Sequence, residues 1–327
     1  MVSKPQLACF IHLSEVGHGF PRPRQESPRG LGNRLRNQYQ VLRMTGYERR
    51  FGGIGRLFGA AGLERLRQAH VCVVGLGGVG SWAVEALARS GLGQLTLVDL
   101  DDVCISNTNR QLHALEGELG KPKVEVMTRR AQAINPDCRV HGFQSFFLKS
   151  TAEEILQTRF DAVLDAIDSP SLKALLISKS RERGLFVITT GAAGGRRDPA
   201  AVEVIDLALS SHDRLLQEVR RLLRRRHGFP RGERSFGVEC VVSREPVVYP
   251  NKAGALGATP AESKDLRLDC NSGFGTASFV TGAFGLVAAS RIVRRIAGLE
   301  GAPAPSGIPA QGFGGARNEM ASRPKRR

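Results

Sequence analysis

Residues 70–80 read HVCVVGLGGVG, and this stretch decides the fold. The β-branched run at 70–75 predicts a buried strand. Residues 79–90 repeat at helical spacing and stop at Gly91, which is typical of a helix with a C-terminal glycine. A strand, a glycine-rich loop and a helix in this order predict a site for a nucleotide phosphate.

The glycines of this loop have separate expected roles. Gly75 permits the tight turn, Gly77 lets the backbone approach a phosphate, and Gly80 lets the helix pack against the strand. Asp99 ends the next predicted strand, where a carboxylate hydrogen-bonds ribose hydroxyls. The loop and the aspartate fit NAD, FAD and ATP equally well, so they predict a nucleotide without choosing one.

Three residues downstream of the loop favour ATP as a reactant. Asn107, Arg110 and Lys123 lie in the segments NTNRQ and KPK. Attack of a carboxylate on an α-phosphate brings two anions together, and the leaving pyrophosphate carries further charge. A guanidinium and an ammonium group stabilise that charge. Taken singly, Arg110 or Lys123 would be interpreted as a solvated surface charge; together they favour adenylation of a carboxylate over hydride transfer.

Asp168 is the predicted magnesium ligand. It follows Asp165 in the segment DAIDS, at the carboxyl end of a predicted strand, where open α/β sheets bind ligands. Mg-ATP takes one or two protein carboxylates. The alternative interpretation is a helix N-cap before Pro170, and the residues alone do not decide between the two.

Strands and helices alternate along the rest of the chain. Further strands are predicted at 95–99, 139–143, 160–166, 185–190 and 201–207, and further helices at 123–134, 172–183, 215–226 and 277–296. The strands are apolar without alternation, so we predict a parallel sheet covered on both faces. The expected fold class is α/β, a Rossmann-like doubly wound, mostly parallel sheet with an added C-terminal strand and helix region. The stretch from Arg226 to about residue 268 is poorly patterned.

The charge of the chain is uneven. Its net charge is +16; residues 1–43 carry seven Lys/Arg against two Glu, and residues 298–327 carry five against two. We predict that both ends are disordered basic extensions of a domain at 44–297, with an arginine-rich insertion at about 211–235. Met44 is an alternative start that would leave out the first extension. The basic balance favours a polyanionic partner, and nucleic acid over an anionic membrane.

The cysteines and the apolar stretches indicate a cytoplasmic protein. Six scattered cysteines without a C-x-x-C pair argue against a disulfide scaffold and against a zinc site built from Cys pairs. The first 43 residues lack a signal peptide. The uncharged stretch 274–290 is interpreted as a buried helix, because polar and glycine residues interrupt it, with a membrane span as the alternative.

Several segments together resemble the ubiquitin-activating-enzyme-like (HesA, MoeB and ThiF) superfamily. They are GLGGVGSW, LVDLDDVCISNTNRQ, GKPKVE, INPDCRV, DAIDS and TTGAAGG. Four more segments resemble its branch of tRNA threonylcarbamoyladenosine dehydratases: YERRFGGIGRLFG at 47–59, GVECV at 237–241, VVYP at 247–250 and DCNSGFGTASFVTGAFG at 269–285. The resemblance spans roughly residues 44–297.

The resemblance implies an ATP- and Mg²⁺-dependent dehydratase. Such an enzyme cyclises threonylcarbamoyladenosine next to the anticodon of tRNA by adenylating its threonyl carboxylate, with release of AMP and pyrophosphate. The implied nucleotide-binding residues are Gly75, Gly77, Gly80, Asp99, Asn107, Arg110 and Lys123, with Asp168 linked to magnesium. Arg50 is implied to reach into the ATP site of the neighbouring subunit of a homodimer.

The resemblance leaves several alternatives open. A second hypothesis is an adenylyltransferase acting on the C-terminus of a ubiquitin-like sulfur carrier, and a third is an NAD oxidoreductase or a non-enzymatic Rossmann module. A sulfur-transfer partner protein stays open, but no membrane partner and no zinc are expected. Cys240 and Cys270 are interpreted as buried small hydrophobes, with a persulfide or thioester role left open for Cys240.

The helix predicted at 215–226 presents arginines on one side: Arg220, Arg221, Arg224, Arg225 and Arg226. Two interpretations of this side stay open. It lines a path for the phosphates of tRNA, or it is a solvated helix face.

Overall fold

The computed structural model describes residues 45–232, 234–250, 256–257 and 275–299. The described elements belong to a unit that begins at Gly46. The predicted extension at 1–43, Met44, Cys270 and the tail beyond residue 299 lie outside the described residues.

Helices and strands alternate through this unit. The helices are α1 Gly46–Gln68, α2 Gly80–Arg89, α3 Lys123–Ile134, α4 Ala152–Ile155, α5 Pro170–Glu182, α6 Arg214–Arg226 and α7 Ser278–Ile296. The strands are β1 His70–Val74, β2 Gln94–Val98, β3 Arg139–Phe143, β4 Ala162–Asp165, β5 Val187–Thr190, β6 Val202–Asp206, β7 Glu239–Ser243, β8 Tyr249–Pro250 and β9 Leu256–Gly257. All the elements predicted from the sequence are present, within two residues at most ends.

Seven strands form one sheet in the order β3-β2-β1-β4-β5-β7-β6. All neighbours pair in parallel except β6 and β7, which are antiparallel. The predicted fold class, a doubly wound and mostly parallel α/β sheet, is confirmed. The strand order reverses between β1 and β4, and a ligand binds at such a point, beyond the carboxyl ends of the strands.

The central strand β1 shows how both faces are covered. Val71 and Val73 pack in a buried cluster with residues of α2, α3 and α7. Cys72 and Val74 pack in a second cluster with residues of α5 and α6. Side chains of a strand alternate between faces, so a run without polar residues is what a sheet between two helix layers requires.

Helix α7 is a core helix, as the sequence indicated. Val280, Phe284 and Ile292 are fully buried. Gly285 permits close packing on α2, because a Cβ at this position would collide with the carbonyl oxygen of Val79. Among the described residues, we find no helix with the length and apolar character that a membrane crossing demands.

Five elements were not predicted: the short elements α4, β8 and β9, and the longer elements β7 and α1. Strand β7 lies inside the stretch that looked poorly patterned, and it is a strand because it pairs with β5 on one side and β6 on the other. Helix α1 is rich in glycine and is interrupted at Gly59, where φ is +77°. It is held by the buried side chains of Tyr47, Phe51 and Leu66.

Candidate active site

The glycine loop joins β1 to α2 at the point where the strand order reverses. Gly75 has φ +91°, and a Cβ there would lie 2.7 Å from the carbonyl oxygen of Ala166. A Cβ on Gly80 would collide with the carbonyl oxygen of Gly75. At Gly77 the nearest atom is Nε2 of Gln111, at 3.9 Å, so this part of the loop is open. The turn, the close packing and the open face expected of the three glycines are all present.

Asp99 is fixed opposite the loop, directly after β2. Its Oδ2 accepts a hydrogen bond from the backbone N–H of Leu76 at 2.6 Å, and its Oδ1 accepts one from Asp101 at 2.9 Å. Burial raises the pKa of Asp99, and the positive charge of Lys123 opposes that rise. The carboxylate therefore lies between the glycine loop and a buried cation.

Lys123 is the first residue of α3 and is 5% exposed. Its Nζ lies 2.8 Å from Oδ2 of Asp101, so the ammonium group is held beside the end of β2. Asn107, also buried, accepts a hydrogen bond at Oδ1 from the N–H of Cys104 at 3.0 Å. This bond orders the turn that leads to Arg110.

Arg110 lies against the glycine loop. A Cβ on Gly78 would be 3.4 Å from Cγ of Arg110. The carbonyl oxygen of Arg110 accepts hydrogen bonds from Trp82 Nε1 at 3.0 Å and Thr281 Oγ1 at 3.2 Å, which fix its backbone. Its Nη1 donates to the carbonyl of Ser106 at 2.7 Å. The structure thus brings Arg110, Lys123 and Asp99 together around one loop.

Asp168 is exposed in the loop after β4. This loop touches the glycine loop, because the carbonyl of Ala166 is the group that excludes a side chain at Gly75. The alternative interpretation of Asp168 as the N-cap of α5 is wrong, since Ser169 occupies that position. In the part of the chain that is described, no three His, Cys, Asp or Glu side chains converge on a metal position. A magnesium ion at Asp168 would take its other ligands from phosphates and water, as Mg²⁺ commonly does.

Arg50 is far from the other predicted site residues. Its exposed side chain reaches the carbonyl of Ile134, with Nη1 at 3.5 Å, at the last residue of α3. Lys123 is the first residue of that helix, eleven residues before Ile134, so about 16 Å of helix separates the two ends. Arg50 therefore lies near the amino ends of the parallel strands, whereas its own chain's glycine loop lies at their carboxyl ends.

A buried ion pair under the site was missed by the sequence analysis. Asp165 and Lys173 are both fully buried, and Nζ lies 2.9 Å from Oδ2. Thr189 Oγ1 donates to the same carboxylate at 2.7 Å, and the N–H of Ile167 donates to its other oxygen at 3.1 Å. The pair thus fixes the start of the loop that carries Asp168. The available signal was Asp165 itself, because a carboxylate inside an apolar strand needs a buried partner.

Two buried polar side chains behind Arg110 were also missed. Gln111 and His113 are 7% and 1% exposed, and Gln111 Oε1 and both ring nitrogens of His113 have no hydrogen-bond partner. Burial and then the charges of Lys123 and Arg130 lower the pKa of His113 to about 4. The imidazole is therefore neutral near pH 7 and adds no charge to the cations of the site.

The ThiF family model matches residues 49–326 of this sequence. This chain belongs to the ThiF family. It is 44% identical over 257 residues to the tRNA threonylcarbamoyladenosine dehydratase of Haemophilus influenzae. This match covers 78% of this chain and 96% of that protein. Two crystal structures of E. coli tRNA N6-threonylcarbamoyladenosine dehydratase, one in complex with ATP and one with AMP, each match with a TM-score of 0.69 and 41% identity. Each match covers 77% of this chain and 96% of the chain in the crystal structure.

The loop of this ThiF chain suits a nucleotide phosphate. Its open face at Gly77 lies at the N-terminus of α2, where backbone N–H groups and the helix dipole attract anions. Lys123 and Arg110 add positive charge beside it. The structure therefore groups the glycine loop, Asp99 and Arg110, with Lys123 beside Asp99.

Replacement of Gly80 by alanine is expected to abolish detectable ATP binding by this ThiF chain. The added methyl group would push the helix away from the Gly75 carbonyl and so open the loop. Calorimetric titration with ATP measures the effect. Gly46→Ala is the matched control, because nothing lies within 4 Å of a Cβ there. ATP affinity of Gly80→Ala equal to that of the control would contradict the assignment of the loop.

Cys240 lies on β7 and is fully buried. Burial raises the pKa of its thiol well above the ordinary value. A thiol is nucleophilic only as the thiolate, so this position favours the interpretation of Cys240 as a small hydrophobe in the ThiF core.

Proposed function

We propose that this protein is an ATP-dependent tRNA threonylcarbamoyladenosine dehydratase. It cyclises threonylcarbamoyladenosine next to the anticodon of tRNA by adenylating the threonyl carboxylate. One observation carries the proposal: Arg110 contacts the glycine loop, and Lys123 lies beside Asp99, in a chain that resembles named dehydratases over nearly their full length. Two cations at this position suit adenylation, in which negative charge develops on an α-phosphate and on departing pyrophosphate.

Some residues of the proposed site bind the nucleotide, and others stabilise the negative charge that develops in the reaction. The loop from Gly75 to Gly80 presents backbone N–H groups to phosphate, and Asp99 accepts hydrogen bonds from ribose hydroxyls. Arg110 presents a planar guanidinium and Lys123 a point charge, each already fixed by contacts to its own chain. Such preorganised cations need no rearrangement when charge develops. ATP supplies the adenylyl group, with release of pyrophosphate, so that one carboxylate oxygen can leave with AMP when the ring closes.

Asp168 is the proposed magnesium-binding residue. Its loop starts at the buried pair of Asp165 and Lys173 and touches the glycine loop. Magnesium bound there would neutralise phosphate charge beside the two cations. Ring closure needs no side-chain nucleophile, since the modified base carries its own attacking group, and the buried thiol of Cys240 is consistent with this.

The experiment that tests the function is an incubation of the pure protein with ATP and tRNA. AMP release is expected with tRNA that carries threonylcarbamoyladenosine and not with the same tRNA lacking the modification. Mass spectrometry of the digested tRNA should show the nucleoside lighter by one water. Pyrophosphate exchange that depends on a carrier protein, with tRNA inert, would replace the proposal by the sulfur-carrier adenylyltransferase. Nicotinamide reduction without ATP binding would replace it by an oxidoreductase.

We also propose a cytoplasmic homodimer in which Arg50 completes the ATP site of the neighbouring subunit; a sulfur-transfer partner protein stays open. The position of Arg50 at the far end of α3 supports this, because the side chain is out of reach of its own glycine loop.

Two inactive variants are expected to restore activity when they are combined. Arg50→Ala removes the arginine from the partner's site, and Lys123→Ala disables only its own site. A mixed dimer therefore keeps one intact site of two, so the isolated mixed dimer should show about half of the wild-type turnover per dimer. Co-expression with two different tags and isolation of the mixed dimer measures this. Arg110→Ala combined with Lys123→Ala is the control. Both changes in it affect a subunit's own site, so each site of the mixed dimer lacks one cation. Mixed dimers no more active than this control would contradict the shared site.

A further inference from the structure

An exposed groove of about 620 Å³ runs along α6 and the turn that follows it. Six arginines line it, against a single glutamate, Glu218. The arginines are Arg214, Arg220, Arg221, Arg224, Arg225 and Arg231. The groove is therefore strongly positive and not merely a helix face with mixed charges.

Two of these arginines hold the groove in shape. Arg224 donates from Nε to the carbonyl of Pro230 at 3.1 Å and from Nη2 to that of Gly232 at 2.8 Å, which ties the turn to α6. Arg220 points inward and donates to the carbonyl and hydroxyl oxygens of Ser210. Hydrogen bonds from two of its own arginines therefore fix the shape of the groove.

Three other arginines point outward. Arg214, Arg225 and Arg231 are exposed, whereas Arg221 pairs with Glu218 on the same helix. Arg214 and Arg225 are eleven residues apart, which is about 16 Å along the helix axis. One strand of a B-form duplex presents a phosphate about every 3.4 Å along the helix axis, so this row is long enough to contact more than one phosphate of a strand.

The groove begins at the edge of the sheet that carries the active site. Asp213, the N-cap of α6, accepts a hydrogen bond at Oδ2 from the N–H of Ala192 at 2.8 Å. Ala192 follows the carboxyl end of β5, and the glycine loop follows the carboxyl end of the parallel strand β1. The row of arginines therefore leads away from the edge where the reactive carboxylate must lie.

We propose that this groove binds the sugar–phosphate backbone of the substrate tRNA through Arg214, Arg225 and Arg231. The proposal rests on the proposed function, since it assigns a surface to that substrate. The lining residues include no aromatic side chain on which a base stacks, so the contacts are to phosphate and are independent of sequence. A narrow groove about 16 Å long suits a strand of RNA better than the flat headgroup surface of a membrane.

The test is the salt dependence of tRNA binding by Arg225→Glu with Arg231→Glu. Affinity measured by fluorescence anisotropy is expected to fall about tenfold or more at low salt. The slope of log affinity against log salt should become shallower by about 1.5, because two phosphate contacts are lost. The KM for tRNA should rise by a larger factor than kcat falls. Arg224 is left unchanged, since its loss would release the turn at residues 230–232.

The matched control is Arg139→Glu with Arg159→Glu, which reverses two exposed arginines at the opposite edge of the sheet: Arg139 is the first residue of β3, and Arg159 precedes β4. It is expected to bind tRNA as the wild type does. Equal affinity and slope in the groove variant and this control would overturn the proposal. The proposal would also be overturned if the groove variant lost binding to phosphatidylserine vesicles or to an acidic peptide while its tRNA affinity stayed unchanged. Failure of the wild type to bind tRNA would instead overturn the proposed function.

Discussion

Replacement of Lys123 or Arg110 by alanine is expected to lower kcat by about a hundredfold or more, because each removes a preorganised cation from the site of charge development. The fold should persist. Lys123 contacts the exposed carboxylate of Asp101, and Asp99 keeps its hydrogen bonds from the N–H groups of Leu76 and Asp101 when Lys123 is removed. Arg110 contacts groups of its own turn. AMP release at saturating ATP and modified tRNA measures the effect, and thermal melting checks the fold.

Two neighbouring cations serve as matched controls for this experiment. Lys121 and Arg129 are exposed and pair with Glu118. Lys121→Ala and Arg129→Ala are expected to keep wild-type turnover, since exposed pairs of this kind contribute little. Near-wild-type turnover in both Lys123→Ala and Arg110→Ala would remove the phosphate-clamp assignment. Equal losses in the controls would show a general effect of surface charge.

Replacement of Lys173 by methionine is expected to lower the free energy of unfolding by about 3–5 kcal/mol. The change leaves the Asp165 carboxylate fully buried without its cation. Denaturant unfolding measures the loss. The double variant Lys173→Met with Asp165→Leu removes both charges, so it should recover most of the stability. A double variant no more stable than the single one would contradict the ion-pair explanation.

The stability of Lys173→Met is also expected to depend on pH. Burial raises the pKa of Asp165, and Lys173 opposes this, so the pKa rises further without the lysine. The folded state then binds a proton that the unfolded state releases above the ordinary carboxyl pKa. The deficit relative to wild type should therefore grow as the pH rises above that value. A deficit that shrinks between pH 5 and pH 8 would contradict this interpretation.

Local pattern was enough to predict most of the fold. Helix α3 and strand β3 begin and end at the predicted residues. The spacing of apolar residues defines each element, and the pair Asn135-Pro136 separates the end of the helix from the strand. The positive φ of Gly75 and the close packing at Gly80 followed from the glycines alone, since few other residues fit. The missing predictions were α1, α4, β7, β8 and β9, and the N-cap alternative for Asp168 was wrong.

The candidate site was predictable only in part. The residues that bring charge to the glycine loop are near one another in the sequence, so their grouping was visible from spacing. The pairing of Asp165 with Lys173, and of Arg224 with the turn at residues 230–232, was not visible. For the arginine-rich helix, composition did not separate the arginines that hold the chain together from those that face solvent.

The sequence by itself determined the order of most of the strands and helices, the family and the likeness of the loop to a nucleotide site, because these depend on local spacing and on backbone angles that only glycine adopts easily. The tertiary structure alone decided that 239–243 is a strand inside the sheet, that Asp165 has a buried cation, and that Arg50 points away from its own loop. Each of these depends on which distant segments pack together, and no local pattern records that.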